Sequence, residues 1–357
     1  MAYTTIDDPT IYFNTVLYTG NFSTQSITGV GFQPDWVWIK ERSVSGNHQL
    51  QNSVNGTNSK LMSNSTSAEG TDTNYITSFD SDGFSLGANN GNNQSGVSNV
   101  AWNWKAGTTS GISGSPSITP SGYSFSQTAG FSIIAYTGNA SVGATIPHGL
   151  GVAPAVIIFK NRDSSVKWAV YHHKNTSAPE TDHLQLNDTT ATSDDDSILN
   201  DTAPGSSVIT MKTSSSVNSN SAKYVAFCFS EIKGYSKHGS YTGNGNTNGT
   251  FVYTGFKPAW VMIKRTDGSN GWFIMDNKRL GFNSGTTNSA TLGNVELNAN
   301  TNRSEAEGNT NMMDLLSNGF KCRQSGSDSN TSGGTYIYMA FAHSPFTNSN
   351  GVPTNAR

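Results

Sequence analysis

Glu180 and Asp182 are the residues of this 357-residue chain best spaced for acid–base chemistry. They stand two apart in Glu180-Thr181-Asp182-His183-Leu184-Gln185, and on a strand residues i and i+2 share a face. Retaining glycosidases hold two carboxyl groups about 5 Å apart across the bond they cleave, a separation such a pair could supply. The other two copies have nothing like this segment, so it reads as a polar strand edge rather than a catalytic one. His172-His173, with His183, offers metal-ligand types. Adjacent strand residues point to opposite faces, so at most one of the paired histidines could join a given site. Asp80-Ser81-Asp82-Gly83 opens like a calcium loop, but residues 84–92 supply no Glu to close it, and a hairpin turn is the better reading. Asp194-Asp195-Asp196 reads as a solvated acidic loop. There is no Gly-x-Ser-x-Gly elbow, phosphate loop or Cys-x-x-Cys pair. Cys228 and Cys322 lie in strand-like runs and are expected as free thiols behaving as small hydrophobes. Tyr171, beside the histidines, is the aromatic expected to be exposed as a sugar platform. The sequence thus predicts no catalytic residue, no metal site and no cofactor, leaves the binding residues unassigned, and points to a non-enzymatic protein.

What must position any site is a repeat. Tyr-Thr-Gly-Asn occurs at Tyr18-Thr19-Gly20-Asn21, Tyr136-Thr137-Gly138-Asn139 and Tyr241-Thr242-Gly243-Asn244. Further on, each copy has Pro and an apolar run ending in Lys: Pro34 to Lys40, Pro154 to Lys160 and Pro258 to Lys264. A ring residue follows in the same register, His48, Trp168 or Trp272. Ser-Asp-Gly-Phe84 and Ser-Asn-Gly-Phe320 then predict tight hairpins, with Asp-Gly and Asn-Gly as the central residues able to take positive φ. Copy two departs here, with Ala203-Pro204-Gly205-Ser206. Each copy closes on an aromatic-rich strand, at Val100–Trp104, Tyr224–Phe229 and Tyr336–Phe341. A register held three times means one structural unit reused.

Only 13% of residues are charged, against roughly 25% for an average soluble protein. Solubility comes from Asn, Ser, Thr and 37 Gly between apolar runs. The net charge is −3, without a basic cluster able to track phosphates, which excludes nucleic acid as partner. No apolar stretch approaches the roughly 20 residues that span a bilayer, so no membrane insertion is expected. The first residues lack a charged and an apolar region and do not read as a signal peptide. Helix signals are weak, the best being Asn311–Leu316, while short β-branched and aromatic runs bounded by turn residues are everywhere. The expected fold is all-β, three tandem β-sandwich domains, by elimination. The divisions are a lead at 1–15, repeats at 16–107, 126–233 and 234–346, a flexible linker at 108–125 and a tail at 347–357. Copies two and three, with almost no linker, should pack side by side, with copy one on a looser joint. Strongly apolar first and closing strands fit a sandwich whose ends pair in the middle of a sheet. In Trp36-Val37-Trp38-Ile39 both faces are apolar, so one face packs on the opposing sheet and the other is covered by a neighbouring domain or protomer.

The repeated pattern resembles a domain common in virion proteins of tailed bacteriophages, notably marine ones, over roughly residues 16–346. The stretch from Gly234-Tyr235-Ser236-Lys237 to Tyr338-Met339-Ala340-Phe341 is especially similar. The resemblance implies jelly-roll sandwiches of the concanavalin A-like lectin/glucanase kind. Glu180-Thr181-Asp182 resembles the Glu-x-Asp-x-x-Glu strand of sandwich glucanases, but Gln185 stands where the last carboxylate would be. By this resemblance the chain is a tail-fibre or receptor-binding component touching a host surface polysaccharide. It would be located in the virion, assembled in the host cytoplasm and released by lysis. Its partners would be other virion proteins and further copies of itself, a trimer favoured. The short lead raises the alternative of a capsid decoration or head-fibre protein without glycan affinity; a glycan depolymerase ranks behind both.

Overall fold

A computed structural model describes residues 3–279, 296–305 and 312–355. Each copy builds one large antiparallel sheet around its closing strand. In copy one the order is Phe13–Thr19, Ser98–Trp104, Trp36–Glu41, Gln49–Asn52. In copy three it is Ser236–Thr242, Thr335–Pro345, Phe256–Arg265, Trp272–Asp276, Leu297–Asn298. Copy two places Phe131–Thr137, Lys223–Phe229, Val156–Asn161 and Ala169–His172 in the same order, with Gly122–Ser126 added on one side and Asp182–Gln185 and Ser193–Asp194 on the other. The closing strand is central every time. The first strand is an edge in copies one and three, so there the expected pairing of the ends in mid-sheet holds for only one of the two strands, whereas in copy two it holds for both.

A small sheet covers one face of each large one. In copy one Gln25–Ile27, Gly83–Leu86 and Ile76–Asp80 bring Ile27, Phe84, Leu86 and Ile76 against Val37, Ile39 and Ala101. Copy three repeats this with Phe251–Tyr253, Gly319–Cys322 and Met313–Leu316, copy two with Ala144–Pro147 and Val208–Met211 alone. Residues Met313–Leu316, within the helix candidate, are therefore strand; Asn311 lies outside the described residues. The two hairpins form, with a refinement of the reason. The pairs Asp80↔Gly83 and Leu316↔Gly319 put Ser81-Asp82 and Ser317-Asn318 in the turns, and the glycine opens the returning strand. A Cβ at Gly83 or Gly319 would collide with the carbonyl of Ile27 or Val252 on the neighbouring strand, so close approach fixes these glycines.

The opposite faces of the three large sheets meet one another. Registers Trp36↔Trp104, Trp38↔Trp102, Val156↔Phe229, Ile158↔Phe227, Trp260↔Phe341 and Met262↔Met339 turn these residues to the same side. All twelve belong to a single buried cluster. Trp36 stacks on Phe227 at 4.5 Å, Trp104 meets Trp260 edge-on at 5.6 Å, and Phe229 meets Phe341 at 5.8 Å, so each copy touches both others. The face expected to need a neighbour is thus covered within the chain. Copy one shares this core fully, which corrects the looser joint.

The flexible linker is corrected too. Asp35 Oδ1 accepts from the Ser53 and Ser124 hydroxyls at 2.7 and 2.8 Å, and its Oδ2 from the Ala106 amide at 2.8 Å. Thr108 bridges Phe125, Ser117 N donates to Thr145 Oγ1, and Gly122–Ser126 joins copy two's sheet. At the lead, Ile6 enters the shared core and Asp7 accepts from the Ser349 amide at 2.6 Å, joining both ends of the described chain.

Trp104 packs against Trp36 at 4.6 Å as well as Trp260. Trp104→Ala should cost about 3–5 kcal/mol, the usual loss for a buried aromatic. Denaturant unfolding should stay a single transition, coincident by fluorescence and circular dichroism; separate transitions would mean independently folding repeats.

Candidate functional site

The repeated residues serve the scaffold, some within a copy and some between copies. At the first motif the tyrosine hydroxyl caps a loop: Tyr18 donates to Asn92 O at 2.5 Å, Tyr136 to Val217 O at 2.7 Å and Tyr241 to Ser329 O at 2.8 Å. One residue further on, Asn93, Asn218 and Asn330 accept from the amides of Asn21, Asn139 and Asn244. The motif's glycine lies so close to this loop that a Cβ at Gly20, Gly138 or Gly243 would strike the carbonyl of Gln94, Ser219 or Thr331. Tyr-Thr-Gly-Asn is a loop clamp. The buried Asn before each closing strand is its partner, recurring in the sequence but unremarked there.

The ring residue and the lysine tie each copy to the one before it. Trp168 Nε1 donates to Met62 O at 3.1 Å, Trp272 Nε1 to Gln185 O at 2.8 Å, and His48 Nε2 lies 2.9 Å from Asn298 O. The cycle runs copy two to one, three to two, one to three. Lys160 Nζ donates to Thr66 O at 2.7 Å and Lys264 Nζ to Thr189 O at 3.1 Å, both across the same junctions. Burial lowers each lysine from 10.5 to about 8. Lys40, equally buried, donates to Glu41 O at 2.5 Å.

Two residues beyond the lysine the copies diverge. At the junction of copies one and two, Arg162 forms a bidentate pair with Glu69, its Nη2 at 2.7 Å from Oε2, and Asn55 Nδ2 also donates to Glu69 at 3.0 Å. At the junction of copies three and one, Arg42 meets Glu305 at 2.7 Å and Arg279 reaches it at 3.2 Å. At the junction of copies two and three the corresponding residues are Thr266, Thr192 and Asn175. The backbone link survives there, Thr192 N to Thr266 O at 2.9 Å, as do Glu69 N to Arg162 O at 2.8 Å and Glu305 N to Arg42 O at 2.9 Å in the others. The ion pair does not. A pocket of about 540 Å³ opens instead, lined by Thr176, Thr192, Ser240, Thr242, Thr266 and Thr335 together with Lys174, Asn175 and Asp267. Thr192 Oγ1 donates to Asn175 Oδ1 at 2.7 Å, and Asn175 Nδ2 is buried without a partner among the described residues. Its size and chemistry suit a small polar ligand. None of these residues was singled out in the sequence; comparing the copies at the position of Arg42, Arg162 and Thr266 would have found them.

The residues that were singled out are placed elsewhere. Glu180 sits in the 3-10 turn Pro179–Thr181 and Asp182 begins the strand Asp182–Gln185, so the two do not share a strand face. Asp182 accepts from the Thr176 hydroxyl, and Gln185 offers Trp272 its backbone carbonyl. Asp82 accepts from the Gly29 and Gly31 amides at 3.0 and 2.6 Å, and Asp80 from the Ser85 hydroxyl at 2.7 Å. Asp194 lies in a strand, Asp195 caps the Ser197 amide and Asp196 pairs with Lys212. Tyr171 is buried in the copy-two sheet, which corrects the exposed platform. Cys228 and Cys322 are free and buried. His172 and His173 do not diverge: Nε2 of His172 lies 3.1 Å from Tyr338 O and that of His173 2.6 Å from His238 O, both on copy three. The ladder ends at His172, which frees His173 to turn the same way. His183 is buried, and neither ring nitrogen of buried His238 has a partner among the described residues. Among the described residues no group of three or more His, Cys, Asp and Glu could hold a metal ion.

The geometry defines an all-β protein of paired sheets whose three units close around a common core. The chain belongs to the family described as a domain of unknown function, DUF7483, whose model matches residues 8–345 and so takes in all three copies. No curated protein and no solved structure matches it.

Burial, reinforced by His173, lowers His172 from 6.5 to about 3. The unfolded chain therefore binds a proton below about 6.5 that the folded chain refuses until about 3, and stability falls as pH drops through that window. His172→Gln should flatten the fall, read as the slope of Tm against pH; an unchanged slope would exclude His172 as its source.

Proposed function

We propose that this chain is a non-enzymatic bacteriophage virion structural protein, a tail-fibre or receptor-binding component that contacts a host surface glycan. In this reading its units are concanavalin A-like jelly-roll sandwiches. Its partners are other virion proteins and further copies of itself, with a trimer favoured, and its place is the virion. The observation that carries the glycan contact is the hydroxyl-lined pocket between copies two and three, which falls where the copies differ. The shared residues support the structural half, since the clamp, the ring donors and the buried lysines all serve the scaffold. The resemblance of the repeat to virion domains supports the location.

A glycan array probed with the whole chain should give hits among bacterial surface polysaccharides, with no release of reducing ends. Immunogold labelling of particles should decorate the tail. An empty array with label on the head would overturn attachment in favour of a capsid decoration protein.

A further inference from the structure

We infer that the pocket between copies two and three binds a carboxylate-bearing sugar, a uronic acid unit, whose carboxylate takes the place that a glutamate fills at the other two junctions. This rests on the glycan-contact reading above and names its ligand class. The argument is a comparison within one molecule. Glu69 puts a carboxylate against Asn55 and Arg162, and Glu305 puts one against Arg279 and Arg42. The third junction keeps the backbone frame and lacks both the carboxylate and the guanidinium that faces it. What remains is the amide of Asn175, at 6% exposure and with Nδ2 unpartnered, where Asn55 has Glu69 as acceptor.

The surroundings fit the rest of such a ligand. Lys174 lines the pocket, is exposed and forms no ion pair among the described residues, so a cation is at hand in place of the missing arginine. Asp267, the acidic group of the lining, is held by Arg265 at 2.7 Å and does not face a ligand as a free anion. Ser240 and Thr242, both exposed on the lining strand, bring hydroxyls that can exchange hydrogen bonds with ring hydroxyls, whereas the Thr335 hydroxyl is engaged with that of Thr266 at 2.7 Å. A charge-assisted bond from Lys174 to the carboxylate is stronger than one to a neutral acceptor, which sets the preference of acidic over neutral sugar.

Glucuronate and galacturonate, with glucose and galactose as neutral counterparts, would be titrated into the full chain and followed by amide NMR shifts and calorimetry. The uronates should shift residues 174–176 and 266–267 and bind at least about tenfold more tightly than the neutral sugars, about the worth of one charge-assisted bond. Lys174→Met should remove most of that preference. The double variant Thr192→Glu with Thr266→Arg rebuilds the pair of the other junctions, so it should keep or raise Tm and abolish uronate binding. Equal binding of uronate and neutral sugar, no shift with either, or full uronate binding by a folded double variant would each overturn the proposal. Both proteins would also be applied to polysaccharide-bearing host cells. Uronate binding without cell binding would leave the pocket standing and overturn attachment. Equal cell binding by both proteins, with no uronate shift, would overturn the pocket and leave attachment standing.

Discussion

Everything in this fold follows from a strand that is apolar on both faces. Trp36-Val37-Trp38-Ile39 and its two counterparts cannot leave either side in water, since a small sheet covers only one. The uncovered faces of three such sheets satisfy one another, and one buried cluster runs through all three copies. Each copy taken alone would expose a broad aromatic face, of the kind that drives association in a monomer. The repeats are therefore folds in shape but not in independence, and the span of the family match over all three copies agrees with that.

A closed arrangement of three must also be told which way round to close. Apolar packing has no direction, whereas hydrogen bonds do. The cyclic donors supply it: each ring residue finds a backbone carbonyl on the preceding copy. The buried lysines add a second tie at the same seams. Their ammonium groups would be costly in so apolar a setting without the carbonyls they meet. That accounts for a lysine at the end of an otherwise apolar strand, a residue that core packing alone would never select.

The sequence carried the β class, the repeat and the double-sided apolar strand, because strand signals are local and the register was held three times. It misjudged what depends on distant partners. The stretch 108–125 has a flexible composition, yet Asp35, far away in sequence, pins it at Ser124 and holds Ala106 just before it. Tyr171 reads as polar-flanked but is sealed within a sheet. Glu180 and Asp182 have strand spacing, but a proline starts a 3-10 turn before the strand begins. The candidate pocket was illegible for a different reason. It opens where Thr192 and Thr266 stand in place of the ion pair of the other seams, and threonine is common enough in this chain to carry no signal until the copies are laid over one another at the junctions.

The divergence at Thr192 and Thr266 has a consequence for how such a protein can change. In a ring of three identical chains every substitution lands at all three seams at once, so a seam that loses its ion pair loses it threefold. Here the three seams are written separately in one chain. Two can remain bolted by Arg162–Glu69 and Arg42–Glu305 while the third is released to drift. Joining the copies end to end converts an assembly that must stay symmetric into one that can afford a single specialised seam.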